Sequence, residues 1–370
     1  MSSSSTVNSN SDSNNNSNSN SDSKKILRLP LRLPRSLTKT PPSGLFIHWG
    51  VYSIPGFTRV KRNKKNTTYN GSEWYLGWIK NRGLYGSETM DYHTANYGDS
   101  TLEQVEKRYY GEWLDGFNEC ADGNWEQYAK TAVRLGMQYI ILTIKHHDGI
   151  SLFPSNLSKD THRPHTNKDH VQEFVCTCRK YGLKVGLYYS LMEWSNLRQG
   201  ITFPYTKGHK LSEYTKNVMW PSLKEICQRY KPDILWADGH WNHSVAEWGS
   251  LEFLEWFHTQ YPNSIVNDRW GKDFNDILKS SEHLQKFCYE TGSDRYFPST
   301  QTRSSFWEHV NTIGDSWGFA HNQVDFKTAE AIFQLKKRVW LANGRFTLNI
   351  GPQMDGTLHP SEQRVLDEMT

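Results

Sequence analysis

The chain has 370 residues, is 14% aromatic with 15 tryptophans, and carries a formal net charge of +4. All of that charge lies in an N-terminal arm, because the acidic and basic residues of 41–370 balance. A neutral remainder argues against binding along a nucleic-acid backbone, which needs a basic face, and no apolar run nears the ~20 residues that span a bilayer.

Ser and Asn fill 18 of the first 23 positions, and residues 24–40 add six bases and no acid. Such a segment buries too little apolar surface to offset its ordering entropy, so residues 1–40 are expected to be disordered. It lacks the apolar stretch of a secretory signal. From residue 41 short apolar runs alternate with amphipathic stretches. The pattern predicts a strand at 45–49, a helix at 125–135, a strand at 139–144, a helix at 171–181, a strand at 184–189 and a helix at 218–230. A strand at 233–237, a helix at 251–261, a strand at 264–266, a helix at 328–341 and a strand at 345–350 complete the series. Repeated β-then-α units imply a parallel sheet wrapped by helices.

Two folds fit that pattern at this length, the doubly wound sheet and the eight-stranded barrel. His48, His146-His147-Asp148, Tyr189, Asp238, Asn267-Asp268-Arg269 and Asn349 fall at or just past strand C-terminal ends. A barrel converges those ends on one face, where active sites are built, whereas an open sheet strings them along an edge. No Gly-rich phosphate loop follows the first strand. The reading is therefore an α/β protein with a (β/α)8 barrel over 41–370. Five cysteines (Cys120, Cys176, Cys178, Cys227, Cys288) at no zinc-like spacing argue against a disulfide framework or a structural metal; Cys176 and Cys178 are expected to be buried helix thiols. Sequons stand at Asn66, Asn70, Asn156 and Asn242.

Trp49, Trp74, Trp194, Trp236, Trp241, Trp270 and Trp317 lie near the strand-end polar groups. A sugar offers apolar C–H faces and a rim of hydroxyls, so aromatic platforms beside His, Asp, Glu, Arg and Asn suit a carbohydrate; filling the barrel core is the other use of tryptophan. Asp238 ends the run Ile234-Leu-Trp-Ala237 and precedes Gly239, which suits a rigidly held nucleophile with room for a ligand at the glycine. His146-His147-Asp148 reads as hydrogen bonding to sugar hydroxyls, with Asp148 orienting the rings; a metal-dependent hydrolase is the alternative, to be dismissed by insensitivity to chelators. Glu282, Glu290 and Glu308 are the acids available for proton transfer, and spacing does not choose among them.

These stretches resemble the retaining α-L-fucosidases. The matching segments are Gly44-Leu-Phe-Ile-His-Trp-Gly50, Glu73-Trp-Tyr75, Ile141-Leu-Thr-Ile-Lys-His-His-Asp-Gly149, Gly186-Leu-Tyr-Tyr-Ser190, Pro232-Asp-Ile-Leu-Trp-Ala-Asp-Gly239, Asn267-Asp-Arg-Trp-Gly271, Ser316-Trp-Gly318 and Leu348-Asn-Ile-Gly-Pro352, in the family's order over 41–370. The resemblance implies Asp238 as nucleophile and Glu282 as acid/base, with Glu290 in reserve and Glu308 structural. His48, Glu73, Trp74, His146, His147, Tyr188 and Arg269 would contact fucose, and Trp317 would pack on its methyl-bearing face. It implies no cofactor or metal, a fucosylated glycan as substrate, and removal of terminal fucose through a covalent fucosyl-enzyme. A weak or inactive fucose-binding remnant is the alternative. The family usually continues into a β-sandwich, so the barrel is expected to be irregular or incomplete at its last helix. Members are usually lysosomal or secreted, and with no readable signal an intracellular location stays open.

Overall fold

The computed structural model describes residues 42–59, 71–80, 87–155, 157, 163–195, 209–297 and 307–369. The Ser/Asn tract, the basic arm and the sequons at Asn66, Asn70 and Asn156 lie outside them.

Eight parallel strands form the centre: β1 (Ser43–Ile47), β2 (Tyr139–Lys145), β3 (Lys184–Ser190), β4 (Ile234–Asp238), β5 (Ile265–Val266), β6 (Glu290–Thr291), β7 (Trp307–Thr312) and β8 (Gly344–Ile350). Their order is β5-β4-β3-β2-β1-β8-β7-β6. β1, β2, β4 and β8 are buried along their whole length, as strands enclosed by helices must be. The helices turn apolar stripes inward. In Trp125–Arg134, for example, Trp125, Tyr128, Ala129 and Ala132 are buried at helical spacing. Side-chain caps start several helices, with Asp169 accepting from the Gln172 N–H at 2.8 Å and Thr328 from the Ala331 N–H at 3.2 Å.

The edges of this sheet meet. β5 and β6 have two residues each, and an isolated parallel bridge between Val266 and Cys288 joins them. Val266 N–H donates to Phe287 O at 2.9 Å, and Tyr289 N–H to Val266 O at 3.0 Å. Side chains finish what so short a ladder cannot. The Asn267 amide pairs with both backbone groups of Ala237 (2.9 and 2.8 Å), and the Asp268 carboxylate accepts from the Thr291 N–H and hydroxyl (3.0 and 2.6 Å). The barrel is thus irregular at the β5–β6 seam, a place the expectation, which concerned the last helix, did not name. The last helix, Pro360–Glu368, is short but buries Val365 and Leu366.

Inside the barrel Glu308 on β7 is 0% exposed. It accepts hydrogen bonds from the Tyr139 hydroxyl (2.9 Å), the Thr347 hydroxyl (2.6 Å) and the Trp236 indole (2.9 Å), and faces Arg345 at 3.7 Å. Strands β6 and β7 are absent from the sequence prediction. Glu290-Thr291 is too short to show a period, and Trp-Glu-His-Val-Asn-Thr carries the polar side chains of this network instead of an apolar run. None of the five cysteines is in a disulfide; Cys178 is buried but Cys176 is exposed, correcting the expected buried pair. Residues two apart on a helix point to opposite sides.

Candidate active site

The C-terminal strand ends open on a cavity of about 210 Å3. Phe46, His48, Trp74, His146, His147, Tyr188, Trp236, Asp238, Trp241, Arg269, Asp294 and Trp317 line it. Alternation along β4 turns Trp236 and Asp238 to the interior and Leu235 and Ala237 toward the helices. Gly239 has φ +70°, and a Cβ there would lie 2.8 Å from Ser190 Oγ and 2.9 Å from Met192 Cβ. That glycine serves the turn and its packing under the β3 loop rather than approach of a ligand.

Asp238 is held from both sides. Arg269 Nη1 donates to Oδ1 at 3.0 Å, the Tyr188 hydroxyl donates to Oδ2 at 2.9 Å, and His147 Nε2 lies 3.8 Å from Oδ2. Burial pushes this carboxyl up, but the Arg269 guanidinium, followed by His147 and His240, outweighs it and leaves Asp238 below the usual carboxylate range. Arg269 in turn donates from Nε to Thr291 Oγ1 at 3.1 Å and from Nη2 to Asp294, and lies 4.6 Å over the Trp236 ring. The consecutive residues Asn267, Asp268 and Arg269 therefore do three jobs: the first ties β5 to β4, the second ties it to β6, and the third reaches the cavity.

The two histidines share one face. β2 shifts register between Thr143 and Lys145, and the chain turns so that Gly149 N–H meets His146 O at 3.1 Å. That bend brings both rings into the cavity, 4.1 Å apart. Burial keeps the imidazoles neutral, pulling His147 down to about 4, His48 to about 3 and His146 well below the ordinary value. Ser190 Oγ meets His147 Nδ1 at 2.6 Å, and Asn349 Oδ1 meets His48 Nδ1 at 2.6 Å. His146 Nδ1 is buried without a hydrogen-bond partner among the described residues. Asp148 does not orient this pair: its carboxylate turns away to the Tyr109 hydroxyl at 2.9 Å. Among the described residues no three His, Cys, Asp or Glu side chains converge as metal ligands, and no helix is long and apolar enough to cross a membrane.

Of the ten site residues expected from sequence, Asp238, His48, Trp74, His146, His147, Tyr188, Arg269 and Trp317 line the cavity; Glu282 and Glu73 do not. Glu282 stands exposed on the turn before the short helix Leu284–Lys286, and Glu290, on the β6 edge strand, is also outside the lining. Glu73 is buried behind the wall, accepting from the Gly318 N–H at 3.0 Å, so it positions the Trp317 loop. Burial pushes it up to about 7. Trp49, Trp194 and Trp270 are core residues, whereas Trp74, Trp236, Trp241 and Trp317 line the cavity. An ionised carboxylate, neutral ring nitrogens and four indoles around one cavity form a set of groups that fits a sugar.

The alpha-L-fucosidase sequence model matches residues 40–370. The chain belongs to the alpha-L-fucosidase family. It is 32% identical over 323 residues to an alpha-L-fucosidase of Dictyostelium discoideum, covering 85% of this chain and 64% of that protein. To the tissue alpha-L-fucosidase of Rattus norvegicus it is 31% identical over 344 residues, covering 87% and 64%. The chain thus spans somewhat under two thirds of these relatives' length. Its fold matches the Thermotoga maritima alpha-fucosidase in complex with a mechanism-based inhibitor at TM-score 0.68 and 26% identity, over 90% of this chain and 72% of that one. The complex of the same Thermotoga maritima enzyme with fucose gives 0.67.

Asp294 is the cavity carboxylate that sequence reasoning missed. It sits after the two-residue β6, in Thr291-Gly-Ser-Asp294, where no periodicity marks it. A polar loop following a strand end is the signal that was there to find.

Proposed function

We propose that this chain hydrolyses terminal α-L-fucose from glycoconjugates with retention of configuration, Asp238 forming a covalent fucosyl-enzyme. The observation that carries the reading is the Asp238 carboxylate, rigid at the end of β4, bonded by Arg269 and Tyr188, and facing neutral histidines and indoles. An Asp238 oxygen attacks the anomeric carbon while the glycosidic bond breaks and its oxygen takes a proton. Water then attacks the same carbon, the acid/base takes the water's proton, and fucose leaves as Asp238 is restored.

We assign the proton transfers to Asp294 in place of Glu282. Asp238 and Asp294 are bonded to the two terminal nitrogens of one guanidinium, whose span is compatible with the roughly 5–5.5 Å between carboxyls that retention requires. Because Asp294 is engaged by the Arg269 guanidinium, donation requires it to leave that partner when the leaving oxygen enters. Its 38% side-chain exposure leaves room for that movement.

The test is hydrolysis of an aryl α-L-fucoside and of a fucosylated oligosaccharide. Asp238→Ala is expected to abolish turnover, with azide restoring part of it as the inverted fucosyl azide. Asp294→Ala should lose far more on the oligosaccharide than on the activated aryl substrate, and Glu282→Ala should resemble the parent. Near-normal activity of Asp238→Ala overturns the reading, and a folded parent that binds fucose without turnover identifies the sugar-binding remnant instead.

A further inference from the structure

A main-chain carbonyl accepts hydrogen bonds and never donates them, and at two places behind the cavity wall that rule fixes which nitrogen of a histidine carries the proton. The first lies behind His147. Ser190, 0% exposed at the end of β3, places Oγ 2.7 Å from the Met192 carbonyl oxygen and 2.6 Å from His147 Nδ1. A hydroxyl has one proton. Given to the ring, it would leave two oxygens facing each other at 2.7 Å with no hydrogen between them. It therefore goes to Met192 O, and Ser190 Oγ accepts from His147 Nδ1–H. Buried Lys145 holds that carbonyl in place, donating to Met192 O at 3.4 Å and to Ser190 O at 2.6 Å while paired with Glu193 at 3.0 Å.

The second lies behind His48. The Asn349 side-chain amide meets the Trp317 carbonyl at 2.7 Å and His48 Nδ1 at 2.6 Å. Only its NH2 group can face a carbonyl, so Oδ1 faces the ring and accepts from Nδ1–H. A hydroxyl from β3 and an amide from β8 thus impose the same tautomer on two rings. Because burial keeps both rings neutral, each Nε2 is left without a proton. Both rings line the cavity, and with Nδ1 engaged, that bare nitrogen is the polar atom each has to offer a ligand. His147 Nε2 stands 3.8 Å from Asp238 Oδ2, beyond hydrogen-bond length, and in this tautomer it donates nothing to the carboxylate.

We propose that Ser190 and Asn349 are positioning residues: neither lines the cavity, and by holding His147 and His48 as Nδ1–H tautomers they make both rings acceptors for sugar hydroxyls and keep the His147 proton off Asp238. This rests on the fucosidase reading. The cavity then reads hydroxyl protons at two points, since a hydroxyl satisfies the bare nitrogen whereas a hydrogen in its place leaves a buried acceptor unpaired.

The experiment reads the rings directly and through turnover. In the full chain labelled with isotopic nitrogen at histidine, long-range nitrogen–proton NMR should show a pyrrole-type Nδ1 and a pyridine-type Nε2 for both rings, assigned by His48→Gln and His147→Gln. Ser190→Ala should move only His147 toward the Nε2–H form, whose proton the Asp238 carboxylate attracts, and Asn349→Ala only His48. Turnover is measured on an aryl α-L-fucoside and its monodeoxy analogues. Loss of one hydrogen bond to a buried nitrogen implies a fall of roughly tenfold in kcat/KM for Ser190→Ala on the intact fucoside. On the analogue lacking the hydroxyl that His147 Nε2 accepts, the fall should shrink to under about twofold because that interaction is already gone; a merely loosened wall would lower every substrate alike. A pyridine-type Nδ1 on either ring of the parent, or equal losses across the analogues, overturns the proposal. A folded parent that turns over no fucoside refutes the fucosidase reading and the positioning role with it, an outcome distinct from both.

Discussion

Glu308→Gln tests whether the acid inside the barrel is structural. The carboxylate lies 3.7 Å from Arg345, itself 3% exposed, and accepts from Tyr139, Thr347 and Trp236. Glutamine keeps an acceptor but removes the charge facing Arg345. At an effective dielectric of about 20, unit charges at that separation attract by ~4 kcal/mol, and breaking a buried pair from one side costs about 3–5 kcal/mol. The variant is therefore expected to lose ~4 kcal/mol in urea unfolding, and Glu308→Gln/Arg345→Met to recover much of it because no uncompensated charge remains. Its residual activity should show no rescue by azide and no dependence on leaving group, since Glu308 supports the underside of Trp236 rather than the reacting atoms. A loss under about 1 kcal/mol would refute the electrostatic argument, and azide rescue would refute the structural assignment.

Two further substitutions report on ionisation. In Arg269→Gln the burial that raises Asp238 is no longer opposed by its main partner, and under the proposed mechanism a protonated Asp238 cannot attack, so the acid limb of the kcat/KM profile should move to higher pH; an unmoved limb counts against the Arg269–Asp238 pairing as the source of the low value. Glu362, accepting from the Gly351 N–H at 3.2 Å, is pushed up to about 8 by burial. Its folded value exceeds the unfolded one of about 4.3, so the stability of its neutral form is complete below that pH and lost as pH rises through about 8. Glu362→Gln should therefore raise Tm by at least ~2 °C more at pH 8.5 than at pH 5, and equal shifts at both pH values would refute it.

Most of the active-site lining was legible in the sequence because strand ends are locally encoded. Apolar runs bounded by turns mark β1 to β4, so His48, His146, His147 and Asp238 are recognisable as residues at their exits; at the exit of β3 the pattern pointed to Tyr189, whereas its neighbour Tyr188, given only by the family resemblance, lines the cavity. The expectation failed where the local pattern fades. Glu282 and Asp294 are both acids past the Asn-Asp-Arg motif, and nothing in the residues between them shows which one returns to the cavity. Glu73 precedes Trp74 directly, yet one lies behind the wall and the other on it.

The sequence by itself determined the alternation of strand and helix and the exits of the well-formed strands, Asp238 among them, since these depend on periodicity within a few residues. Only the tertiary structure decided the rest: the seam where Asn267 and Asp268 substitute for missing ladder, the burial of Glu308 against Arg345, the contact of Ser190 with His147 and the pairing of Asp294 with Arg269. Each of those depends on which groups face one another across the ring. That is set when β5 and β6 meet, by contacts between segments whose own composition carries no record of their partners.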